Sequence, residues 1–187
     1  MNNPTTDFTH LLDVTGKDRL HIGGKEKKES WKILYIKPGE AVDYVGDVRD
    51  LSSFKKDSFD IVYASHVLEH LSYQTELNSA LRWIFRILRP GGKLFVSVPD
   101  LDTLCRLFIR EQSTKEQRIL VMRMMFGGQI DPHDFHHVGL TEEFLGDFLR
   151  AAGFRVLHRV PEFGLFKDSS SLRTDGVLIS LNMVAIK

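Results

Sequence analysis

This sequence has no pair of cysteines and no net charge. It holds one cysteine, Cys105, and its 25 basic residues balance its 25 acidic residues. A single cysteine excludes an internal disulfide and a cysteine-rich zinc site. Leucines and a phenylalanine surround Cys105 in the sequence, which predicts that its thiol is buried in ordinary packing. The balanced charge argues against an extended nucleic-acid surface, so no nucleic-acid partner is expected.

Long apolar runs are also missing. No window of the sequence is long enough for a helix that spans a bilayer. Residues 1–14 lack the basic start and continuous apolar core of a secretory signal, which predicts a cytoplasmic protein without a membrane span. The 187 residues, 42% of them hydrophobic, suit one domain with its own core. We expect residues 1–18 to form an N-terminal extension and residues 19–187 to form that domain.

A strand, helix and strand unit occupies the middle of the chain. A short apolar run, Ile61 to Ala64, predicts a buried strand. From Ser72 to Arg89 apolar residues recur at helical spacing, until a Pro-Gly-Gly turn ends the helix. A second β-rich run, Leu94 to Val98, follows it. Because a helix of this length is a crossover connection, the two strands must run parallel, which predicts an α/β fold.

The order and spacing of this unit resemble the central segment of class I S-adenosylmethionine-dependent methyltransferases, in the branch called type 11. The resemblance lies in FDIVYASHVLEHL at 59–71 and LRPGGKLFVSVPD at 88–100, and it extends to GDVRDL at 46–51 and TEEFLGDFLRAAGF at 141–154. It implies a Rossmann-like, doubly wound α/β sheet of seven mainly parallel strands with an antiparallel edge strand. It also implies S-adenosylmethionine as cofactor and methyl transfer to a small or medium-sized acceptor.

The resemblance further implies positions that bind the cofactor. Gly23 and Gly24 follow the first expected strand, where the family has a glycine turn, although its pattern of three alternate glycines is incomplete here. Tyr35 replaces the usual acidic residue at the ribose hydroxyls, and a phenol supplies fewer acceptors than a carboxylate. Asp47 matches the acid that accepts from the adenine amino group, with turn capping as the alternative. The backbone of Val48 is expected to contact the adenine ring.

The connection between the first two expected strands is unusually short. Only the eight residues KEKKESWK, Lys25 to Lys32, separate the glycine turn from the next apolar run. A parallel crossover with a full helix normally needs more. The first helix must therefore be shortened or replaced by a loop. The lysines of this segment indicate a solvated surface, with contact to an anionic ligand group as the alternative.

Two histidine-containing stretches supply the candidate catalytic residues, and the first follows the fourth strand. The resemblance places the methyl donor there, so Ser65 and His66 are expected to contact cofactor or substrate. His66 to His70 also matches HxxEH, a zinc-protease pattern. No convincing third ligand accompanies it, and we interpret His70 as a packing or capping residue.

The second stretch lies in the loop Phe126 to Leu140 and contains His133, Asp134, His136 and His137. A neutral histidine near the cofactor suits removal of a hydroxyl proton during methyl transfer. We expect His136 in that role, with His137 as second choice. A divalent metal bound by the cluster and a hydrogen-bonded structural loop are the alternatives. A tight loop cannot easily turn all four side chains inward, so we predict no metal site.

The acceptor is the least constrained part of the prediction. An oxygen on a sugar, lipid or glycoconjugate precursor is expected as a small-molecule substrate. The alternative is an inactive binding or regulatory module, favoured by the incomplete glycine pattern, the short crossover and Tyr35. A metal-dependent hydrolase and a nicotinamide dehydrogenase are further alternatives. The long polar connection 161–178 predicts a lid or an oligomer contact, which leaves a homo-oligomer open.

Overall fold

The computed structural model describes residues 9–15 and 18–187. In chain order, its helices and strands are α1 (Thr9–Leu12), β1 (Arg19–Ile22), β2 (Trp31–Tyr35), β3 (Tyr44–Val45), β4 (Phe59–Ser65), α2 (Glu76–Ile87), β5 (Leu88–Pro99), α3 (Leu101–Ile109), α4 (Lys115–Phe126), α5 (Glu142–Ala152), β6 (Val156–Val160), β7 (Arg173–Thr174), β8 (Val177–Leu178) and β9 (Ser180–Ile186). Single 3₁₀ turns lie at Leu68–His70 and Ser169–Ser171. None of these helices has the length and apolar character needed to cross a membrane.

Seven strands form one sheet in the order β3-β2-β1-β4-β5-β9-β6. β1 pairs in parallel with β2 and with β4, and β4 pairs in parallel with β5. β9 runs antiparallel to both of its neighbours, β5 and β6. The predicted seven-stranded, mainly parallel sheet with antiparallel pairing at this edge is confirmed. The reversed strand β9 lies next to the edge strand β6.

Helices α2 and α5 cover one face of this sheet. The predicted stripe of α2 is buried, with Leu77, Leu81 and Ile84 in the main core cluster. The helix begins at Glu76 instead of Ser72, because the Glu76 side chain accepts from the Ser72 amide at 2.9 Å and closes a turn there. The helix ends at Ile87, and β5 begins before the Pro-Gly-Gly turn.

The other face is covered without a long helix. β1 and β2 are joined by residues 23–30, which contain no helix, as the short connection predicted. Leu11 of α1 packs on this face together with Phe163 and Phe166 from the connection after β6. That connection is therefore part of the core cover. Of the predicted extension, residues 1–8 and 16–17 lie outside the described residues.

Helices α3 and α4 form a small lobe with a minor core of Leu104, Leu107, Val121 and Ile179. The predicted burial of Cys105 on α3 is wrong, since the residue is exposed. Apolar side chains at the end of α4 also lie at the surface, with Met122 43% and Phe126 56% exposed.

Candidate functional site

A cavity of about 600 Å³ opens at the carboxyl ends of β1, β2 and β4. The strand order reverses between β1 and β4, which is where ligands bind in open α/β sheets. The volume lies within the ~300–1,000 Å³ typical of small-molecule sites. The walls come from the turn after β1, the ends of β2 and β3, the turn after β4 and the loop before α5. Predicted site residues in the walls are Gly23, Tyr35, Asp47, Val48, His66 and His137.

The two glycines after β1 have different roles. Gly23 borders the cavity with φ +81°, and a Cβ there would lie 2.5 Å from Val67 Cγ2. Its amide already donates to the Leu34 carbonyl at 2.9 Å, which ties β1 to β2. Gly24 does not line the cavity, and a Cβ on it would come within 2.6 Å of the His21 ring. Glycine is thus required at both positions by packing, and only Gly23 is placed to approach a ligand.

Tyr35 and Lys25 lie together at the end of β2. The Lys25 ammonium sits 5.4 Å from the centre of the Tyr35 ring, in a cation–π contact. Both side chains line the cavity and leave its volume open. The wall therefore offers a phenol and a cation where the family usually has a carboxylate.

Asp47 is held by Arg49, two residues further along the chain. The Arg49 side chain donates to Asp47 Oδ2 from Nε at 2.9 Å and from Nη2 at 2.6 Å, and its amide donates to Oδ1 at 2.9 Å. Arg49 Nη1 also pairs with Glu76 at 2.8 Å. Burial alone would raise the pKa of Asp47, but the hydrogen bonds and charge of Arg49 lower it below its ordinary value. Asp47 is therefore a fixed, ionised acceptor on the cavity wall.

His66 is oriented by its backbone and by a hydrogen bond at one ring nitrogen, Nε2. Its backbone adopts φ +53°, uncommon for a residue other than glycine, and its amide donates to the Ser97 carbonyl at 2.9 Å. The Ser180 hydroxyl donates to the Ser169 carbonyl at 2.7 Å, so it must accept from His66 Nε2, 2.9 Å away. Ser65, its neighbour in the chain, does not line the cavity.

The loop between α4 and α5 turns its histidines in different directions. His133 and His137 line the cavity, whereas His136 does not. The His136 ring lies edge-on to the His70 ring at 4.8 Å between centres, and burial lowers its pKa. The second choice for the base, His137, is thus the one at the cavity. An exposed ion pair from Lys37 to Asp131, at 3.3 Å, links this loop to the end of β2.

Sequence reasoning missed three residues of the cavity wall, Arg49, Glu76 and His70. Arg49 carried a local signal, since it follows Asp47 at the spacing of a side chain that can turn back to a carboxylate. Glu76 and His70 carried none, because a helix start and a 3₁₀ turn give no sign of which way a side chain faces the ligand.

Comparisons with known proteins agree with this geometry. Residues 24–96 match the type 11 family model of a methyltransferase domain. A solved S-adenosylmethionine-dependent methyltransferase from Mesorhizobium loti superposes with a TM-score of 0.60 at 16% identity, covering 96% of this chain and 95% of that chain. Over residues 24–96 the chain is therefore similar to the methyltransferase domain of this family. The family match confirms the resemblance and, with it, S-adenosylmethionine as the cofactor class.

Two further proteins are similar to this chain. The 1,6-didemethyltoxoflavin-N1-methyltransferase from Burkholderia thailandensis, solved with bound S-adenosylhomocysteine, has a TM-score of 0.56 at 18% identity and covers 96% of this chain and 74% of that chain. The ubiquinone/menaquinone biosynthesis C-methyltransferase of Pasteurella multocida is 30% identical over 114 residues, 56% of this chain and 40% of that protein. The chain thus spans about 40% of the length of the curated relatives it matches.

Proposed function

We propose that the chain is an enzyme that transfers a methyl group from S-adenosylmethionine to an oxygen of a small or medium-sized acceptor. The observation that carries the proposal is the open cavity at the strand switch point, whose wall contains both Asp47 and Val48 and the imidazoles of His66 and His137. Relatives named as methyltransferases support the same class of reaction.

The cavity wall has a binding residue for each part of the cofactor. The Asp47 carboxylate would accept from the adenine amino group through Oδ1, which takes only the Arg49 amide and retains a lone pair. Val48 supplies backbone against the adenine ring. The Tyr35 hydroxyl forms one hydrogen bond to the ribose, and the Lys25 ammonium pairs with the carboxylate of the methionine part. Bound in this way, the cofactor supplies an electrophilic methyl group on its sulfonium.

A hydroxyl acceptor suits the remaining wall, which is rich in polar side chains: His66, His70, Asp131, His133 and His137. Such groups bind the hydroxyls of a sugar or glycoconjugate precursor, and a lipid headgroup offers the same chemistry. During transfer the acceptor O–H bond breaks and its proton goes to a neutral imidazole. With S-adenosylmethionine bound, its methyl group would pass from the sulfur to this oxygen, and S-adenosylhomocysteine would be the other product. Positioning of the acceptor in line with the methyl contributes most of the rate.

We assign the proton acceptor to His137, because its exposed imidazole lies on the cavity wall and the His136 ring does not. His137→Ala should lower kcat by about 10²-fold or more and leave the KM for S-adenosylmethionine unchanged. The measurement is release of S-adenosylhomocysteine with a panel of sugars, glycolipid precursors and lipid headgroups. His158→Ala is the matched control, since His158 lies on β6 and outside the cavity wall.

Two outcomes of this experiment separate the parts of the proposal. Cofactor binding without S-adenosylhomocysteine release on any acceptor would contradict the enzyme and favour a binding or regulatory module. Equal kcat for the wild type and His137→Ala would contradict only the choice of base.

A further inference from the structure

A buried carboxylate lies behind the cavity wall, in the 3₁₀ turn after β4. Glu69 is 1% exposed, and neither of its carboxylate oxygens has a hydrogen-bond partner among the described residues. His66 Nδ1 lies 3.2 Å from Oε1 without hydrogen-bond alignment. A buried carboxylate whose oxygens have no hydrogen-bond partner is costly unless a cation joins it.

Two imidazoles, those of His70 and His136, lie near this carboxylate, and one nitrogen of His70 is already engaged. His70 Nδ1 lies 3.0 Å from the Phe135 carbonyl, and a carbonyl can only accept, so Nδ1 carries the proton. His70 Nε2 thus keeps a free lone pair. Histidines that bind metals show this arrangement, with the remote N–H fixed by a backbone carbonyl. The His136 ring lies edge-on to the His70 ring, 4.8 Å away between centres.

We propose that Glu69, His70 and His136 bind one divalent transition-metal ion of the zinc type. One ligand atom from each residue lies within 4.8 Å of the others. Zinc binds imidazole nitrogen and carboxylate oxygen at about 2.0–2.2 Å, which sets neighbouring ligand atoms roughly 3.4 Å apart. Binding therefore draws the three side chains together by about 1 Å. The ion neutralises the carboxylate and completes its coordination.

The proposed site joins two parts of the cavity wall. Its ligands come from the turn after β4 and from the loop before α5, which already meet where the Glu69 carbonyl accepts from the His137 amide at 2.8 Å. His70 is both a proposed ligand and a wall residue. A bound ion would thus cross-link the turn to the loop and hold His137, the next residue after a ligand, in place.

The test is titration of the chelator-treated 187-residue protein with Zn²⁺ by calorimetry, with metal content measured after dialysis. We expect one Zn²⁺ per chain and a rise in Tm on binding. His136→Ala and Glu69→Gln should weaken binding at least tenfold and remove the rise in Tm. His133→Ala is the control, because His133 lies in the same loop, is exposed and stands outside the proposed ligand set.

Co²⁺ provides a second measurement that does not depend on Glu69→Gln folding. The wild type and His133→Ala should show a visible absorption band of bound Co²⁺, and His136→Ala should lose it. The proposal is overturned if the wild type binds no Zn²⁺ at stoichiometric concentration. Equal affinity in the wild type and His136→Ala would overturn it as well, and so would equal losses in His133→Ala and His136→Ala.

Discussion

At the scale of single residues, His21 shows how the core on the sheet face opposite α2 and α5 is built. Its ring is 6% exposed and contacts the rings of Tyr63 at 4.9 Å and Phe166 at 4.2 Å between centres. Burial lowers the pKa of His21 to about 4, against an opposing attraction from Asp168. The folded protein therefore keeps this imidazole neutral, whereas the unfolded chain protonates it near pH 6.5.

This difference predicts a loss of stability in acid. The unfolded chain binds the proton first, so the contribution of neutral His21 is complete above pH 6.5 and is lost as the pH falls towards 4. The loss should reach about 3 kcal/mol at pH 4, since one unit of pKa corresponds to roughly 1.4 kcal/mol. Urea unfolding between pH 7 and 4 measures it. His21→Phe should flatten the pH dependence and the exposed His133→Ala should not, and parallel slopes in all three proteins would contradict this account.

Residues of the candidate site were predictable only where they lie next to the end of a strand. Asp47 and Val48 lie just after β3, and His66 follows β4, so their positions at the carboxyl edge of the sheet could be read from the strand pattern. His136 and His137 lie in an irregular loop, where no periodicity says which ring turns inward. Nothing in the sequence signalled what surrounds Glu69. Of the three histidines near it, His136 lies 67 residues further along the chain.

At the scale of elements, α5 follows its sequence closely. It runs from Glu142 to Ala152, the Thr141 hydroxyl accepts from the Phe144 amide at 3.2 Å, and Gly153 closes it with φ +117°. Cap, acidic first turn and terminal glycine are all local signals, so the start and the end of this helix can both be read from the sequence. Leu145 and Leu149 then bury the helix on the sheet beside α2.

The cap of α5 can be tested directly. Thr141→Ala leaves the Phe144 amide without its partner and should lower the free energy of unfolding by about 1 kcal/mol. Thr141→Ser keeps a hydroxyl at the cap and serves as the matched control, expected within a few tenths of a kcal/mol of the wild type. Chemical denaturation of the three proteins gives the comparison. A serine variant as unstable as the alanine variant would show that the hydroxyl is not what stabilises the helix start.

Elements that depend on distant contacts were not predictable. The short spacing after β1 correctly indicated that no full helix precedes β2, but it did not say what replaces one. Phe163 and Phe166 perform that role from the connection after β6, where polar residues around them mask the apolar positions. The Asn182 side chain anchors this connection by donating to the Pro161 and Ser170 carbonyls, at 2.9 and 2.8 Å. Such contacts join residues far apart in sequence, so local pattern alone does not reveal them.

At the scale of the whole molecule, the strand order brings distant segments to one cavity. The reversal between β1 and β4 places the glycine turn beside the turn of His66, and the loop before α5 closes over them. The fold class was predictable because the central crossover and its two parallel strands constrain the topology. The open cavity is a property of the assembled molecule, since Lys25, Tyr35 and Arg49 could each have filled it.

Calorimetric titration with S-adenosylmethionine and S-adenosylhomocysteine tests this account most directly. The wild type should bind one molecule of either with a micromolar Kd. Asp47→Ala should weaken binding about 10- to 100-fold, the cost of a lost charge-assisted hydrogen bond. The control Asp50→Ala should bind like the wild type, because Asp50 is exposed, caps its own turn at the Ser52 amide and lies outside the wall. Absence of binding at millimolar ligand, or equal affinity in Asp47→Ala and the wild type, would contradict the claim that this cavity holds the cofactor.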